Sequence, residues 1–98
     1  ETPENCNSIT IEDDVRKMFK GTDVSVKVYD EKSLKKMGAN GILSVNQASK
    51  YPVKIIRLQY TPKTFKKHHV FVGKFISYDT GGSDLKTGGH MKNMKTDM

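Results

Sequence analysis

Cysteine is almost absent from this 98-residue chain, where Cys6 stands alone. An internal disulfide is therefore excluded, and the usage accords with a reducing compartment. Long apolar runs are missing too. No stretch approaches the roughly 20 residues that a membrane helix needs, so no membrane partner is expected. No leader peptide is legible, because Glu1 opens an acidic, polar stretch rather than a basic one followed by an apolar core. The expected location is cytoplasmic. Hydrophobic residues make up only 35% of the chain, and its mean hydropathy is −0.63. A chain of this length and composition has room for one domain with a small core and little margin.

Arginine is scarce, being confined to Arg16 and Arg57, and acidic residues thin out along the chain. Residues 1–49 carry seven Lys/Arg against eight Asp/Glu, whereas residues 50–98 carry ten against three. A basic half can signal a nucleic-acid partner. Here the lysines are scattered and no aromatic stacking motif accompanies them, so nucleic acid is not an expected partner. No Gly-x-Ser-x-Gly elbow is present. Gly73-Lys74 does not complete a phosphate-binding loop, because His68 stands at the upstream glycine position and Phe75 replaces the Ser/Thr. His68 and His69 are adjacent, and in a strand their rings would point to opposite faces, which argues against a zinc pair. Cys6 has no base near it in sequence, which argues against a nucleophile.

Helical and strand signals alternate in what remains. Thr10 reads as an N-cap, with Glu12, Asp13 and Asp14 in a first turn where the helix dipole favours negative charge. Ile11, Val15, Met18 and Phe19 then recur on one face, and Gly21 is a C-terminal stop. Val24, Val26 and Val28 alternate with Ser25 and Lys27, the pattern of a half-buried strand. Asp30 can cap a short helix carrying Leu34 and Met37 and closed by Gly38. The piece from Gly41 to Val45 is apolar, and its state stays open. After Pro52, VKIIRLQY reads as a strand covered on both faces. A polar connector follows from Thr61 to about Lys67, and His69 to Gly73 reads as a further strand. The order implies an α/β fold with a mixed sheet.

The chemistry gathers at the end, in VFVGKFISYDTGGSDLKTGGHMKNMKTDM. Lys74, Asp79, Lys86 and Asp97 surround two glycine pairs, Gly81-Gly82 and Gly88-Gly89. Asp79 and Asp97 are too far apart in sequence to share a helical turn. They can meet only if the loop between them folds back, which glycine permits. Carboxylate oxygens suit hard or borderline divalent cations. A lysine amine beside such an ion can lose its proton and ligate, because a neighbouring cation lowers an ammonium pKa. Lys86 can instead stay protonated and stabilise an oxyanion. On spacing alone, solvated loop charges explain most clusters of this kind.

VGKFISYDTGG, followed by SDLK and by TGGHMKNMKTDM, resembles the first metal-binding motif of the leucyl aminopeptidase (cytosol aminopeptidase) family. That motif runs approximately V-G-K-G-x-x-x-D-S/T-G-G, then a lysine and a Met-rich stretch ending in an aspartate. Upstream, TPENCNSIT resembles the family's N-T-P-x-N-x-L-T opening of the catalytic domain. The stretch VKVYDEKSLKKMGANGILSVNQASKYPVKIIRLQY resembles its strand, short helix, Met-Gly turn and Pro-preceded strand. The resemblance covers essentially all of the chain.

It implies that residues 1–98 are the N-terminal part of a three-layer α/β/α metallo-exopeptidase domain. It also implies two divalent metal ions, zinc or else manganese or magnesium, with Asp79 bridging them and Lys74 and Asp97 ligating one of them. Lys86 would be the catalytic lysine at the scissile carbonyl. Peptides would be the substrates and a homo-hexamer the assembly of the full-length form. Three departures accompany the match. Phe75 stands where the family has glycine, Ser83 replaces a small apolar residue, and the family's N-T-D-A-E-G-R motif is not among these residues. An isolated 98-residue chain is expected to be inactive, and poorly soluble because VKIIRLQY and HVFVGKFI would expose strand edges.

Overall fold

A computed structural model of the chain describes residues 5–76 and 88–89. The element order is α1 (Ser8–Phe19), β1 (Val24–Tyr29), α2 (Glu31–Lys36), α3 (Asn40–Val45) and β2 (Ile55–Tyr60). These residues form a small α/β unit in which β1 and β2 pair antiparallel. The register places Val24 opposite Tyr60, Val26 opposite Leu58 and Tyr29 opposite Ile55. Helices α1 and α2 both pack on β1, and α3 packs on α2. Among the described residues no helix is long and apolar enough to cross a membrane.

Helix α1 begins three residues before the position expected from the sequence. Its N-cap is Asn7, whose side-chain oxygen accepts from the backbone N–H of Ile9 at 3.0 Å and of Thr10 at 3.2 Å. Thr10 sits at the third helical position and returns a bond, its hydroxyl accepting from the Asn7 backbone N–H at 3.1 Å. This reciprocal capping box satisfies helix donors that would otherwise be orphaned. Glu12, Asp13 and Asp14 consequently fall past the first turn. The other end is as expected. Gly21 takes φ of 75°, and the Thr22 hydroxyl donates to the Phe19 carbonyl at 2.7 Å.

The alternation in β1 is borne out, with Val24, Val26 and Val28 half-buried and Ser25 and Lys27 exposed. Asp30 caps α2 by accepting from the Ser33 N–H at 2.8 Å, and Gly38 ends the turn beyond it with φ of 70°. The piece left open, Gly41 to Val45, is helical and belongs to α3. The core is small. Among the described residues only Leu34, at 0% exposure, and Val53, at 7%, are buried apolar side chains.

Two further expectations differ. Strand β2 starts at Ile55 rather than directly after Pro52, and it pairs only with β1 among the described residues. Ile55 and Leu58 stay exposed, so β2 is not covered on both faces here. The His69–Gly73 stretch is not a strand, and Phe71 is 93% exposed. An apolar run becomes a strand only when a neighbour takes up its backbone N–H and C=O groups. Neither β1 nor β2 does so for this segment.

Candidate active site

Of the four residues expected to carry chemistry, Lys74 lies within the described part of the structure, whereas Asp79, Lys86 and Asp97 lie outside it. Lys74 follows β2 in a segment without regular secondary structure. With Gly73, Phe75 and Ile76 it forms one wall of an apolar groove of about 750 Å³. The facing walls come from α1 through Ile11 and Val15, from α3 through Ile42, and from β2 through Ile56. Helical spacing in α1 and alternation in β2 aim these side chains at a common space. Phe75, at the position where glycine was expected, is 62% exposed and lines the groove beside Lys74.

Gly88 and Gly89 are the other described part of the motif. Their φ values of 66° and 83° lie in the left-handed region. Side chains are rarely accommodated there, which is the conformational freedom the glycine pairs were read as giving the loop. His68 and His69 are exposed, and the His68 ring meets Phe65 edge-on with centroids 4.6 Å apart. No group of three His, Cys, Asp or Glu side chains able to hold a metal ion occurs among the described residues. Cys6 is half-buried and lines the groove.

One charged cluster at the groove was not legible in the sequence. Lys54 forms an ion pair and hydrogen bond with Glu12, whose other oxygen accepts from Arg16 at 2.8 Å. The Lys54 and Glu12 side chains are each 17% exposed. Hydrogen bonds from Lys54 first and Arg16 second hold the Glu12 carboxyl below its usual value of 4.5. The Arg16 contact has helical i, i+4 spacing and could have been foreseen. The Lys54 contact spans 42 residues and carries no local signal.

A depressed carboxyl pKa stabilises the fold above the unfolded value, and that stability is lost as pH falls through the folded value. The urea midpoint is therefore expected to drop as pH is lowered from about 6 to about 3. Glu12→Gln should lower the midpoint at pH 6 and flatten this dependence. An unchanged pH profile in the variant would remove Glu12 from the account.

The whole chain, residues 1–98, matches the model of the cytosol aminopeptidase family, catalytic domain. Similar curated proteins bear the name probable cytosol aminopeptidase. One, from Tropheryma whipplei, is 44% identical over 86% of this chain and 17% of its own length. Another, from Campylobacter jejuni, is 41% identical over 99% of this chain and 20% of its own length. A third, from Streptomyces avermitilis, is 48% identical over 76% of this chain and 15% of its own length. The chain thus spans about one-fifth or less of the length of these relatives. No solved structure matches it. With the family's catalytic-domain model matched from the first residue to the last, the chain belongs to the cytosol aminopeptidase family.

Proposed function

We infer that this chain is the N-terminal part of the catalytic domain of a metal-dependent leucyl aminopeptidase, which removes N-terminal residues from peptides. The parent domain would be a three-layer α/β/α metallo-exopeptidase with a mixed sheet, assembled as a hexamer in the cytoplasm. One observation carries the reading. Lys74, Asp79, Lys86 and Asp97 occur in order around two glycine pairs, in a chain that matches the family over its full length.

The donor chemistry fits divalent ions. Asp79 and Asp97 offer hard carboxylate oxygens and Lys74 offers an amine, a set suited to zinc, manganese or magnesium. In this reading Asp79 would hold both ions, and Lys74 and Asp97 would ligate one of them. When bound, such ions supply Lewis-acid polarisation and a water acidic enough to attack at neutral pH. Lys86 keeps its proton and places an ammonium at the carbonyl oxygen, where negative charge develops as the peptide carbon becomes tetrahedral.

The test is hydrolysis of leucine amide by the intact native protein with added manganese or zinc. Turnover that a chelator abolishes and metal restores is the expected result. A metal-loaded protein without peptidase activity would sink the reading and favour the alternative, a non-catalytic relative serving a structural or interaction role. Phe75 is the observation behind that alternative, since its ring stands beside Lys74.

A further inference from the structure

We draw no further inference here: the strongest candidate, the apolar groove walled by α1, α3, β2 and the 73–76 segment, is an unpartnered face of a chain that spans about one-fifth or less of its relatives' length, and nothing in the structure shows what covers it.

Discussion

Leu34→Ala is expected to lower the unfolding free energy by about 4 kcal/mol, toward the upper part of the roughly 2–5 kcal/mol range for Leu→Ala changes, because the cost rises where the site cannot collapse. Leu34 is the fully buried large side chain among the described residues. It sits on α2, which packs against both β1 and α3, so the lost volume lies where three elements meet. Among the described residues Val53 is the one other buried apolar side chain, so no larger described core can absorb the defect. Small domains have unfolding free energies of about 5–15 kcal/mol, so the change removes a sizeable share. Met37→Ala is the control, since Met37 is exposed at the end of the same helix and should shift stability little. Urea denaturation of the two variants beside the parent decides it. A Leu34→Ala midpoint close to that of Met37→Ala would show that the core lies elsewhere.

Lys86→Ala in the intact native protein is expected to lower kcat for leucine amide by about 10²- to 10³-fold, the usual effect of deleting one oxyanion donor. An ammonium at the carbonyl oxygen gains most when that oxygen becomes anionic, so kcat and kcat/KM should fall together while KM changes little. Metal content should be unchanged, because Lys86 is proposed to touch the substrate rather than an ion. Asp79→Asn should instead lose metal along with activity. A Lys86→Ala variant with parental kcat would remove the lysine from the chemistry. Loss of metal by that variant would make it a ligand rather than an oxyanion donor.

Much of the local structure was legible because its causes are local. Asp30 caps α2 through a bond to a residue three positions on, and Gly21 and Gly38 adopt positive φ at helix ends. Valine alternation in β1 follows from the pleat. Thr10 was misread as the cap of α1 because Asn7 and Thr10 are both good capping residues in a reciprocal box. Choosing between them depends on how Asn7, a buried residue, is packed. The apolar stretch from Gly41 to Val45 was too short for periodicity to separate helix from strand. The Val70–Val72 run had the composition of a strand, yet composition does not provide a hydrogen-bonding neighbour.

The sequence by itself determined the family and the ordered polar set Lys74, Asp79, Lys86 and Asp97, since side-chain chemistry and spacing are properties of the chain. It also determined most helix ends, where the decisive contacts lie within four residues. Only the tertiary structure decided that β1 pairs with β2 in a register that sets Lys27 against Arg57. It alone decided that Leu34 rather than Leu58 is buried, and that Glu12 answers Lys54 across 42 residues. Those outcomes depend on which distant segments meet. Burial and charge pairing are collective, and a residue's own neighbours in sequence do not specify them.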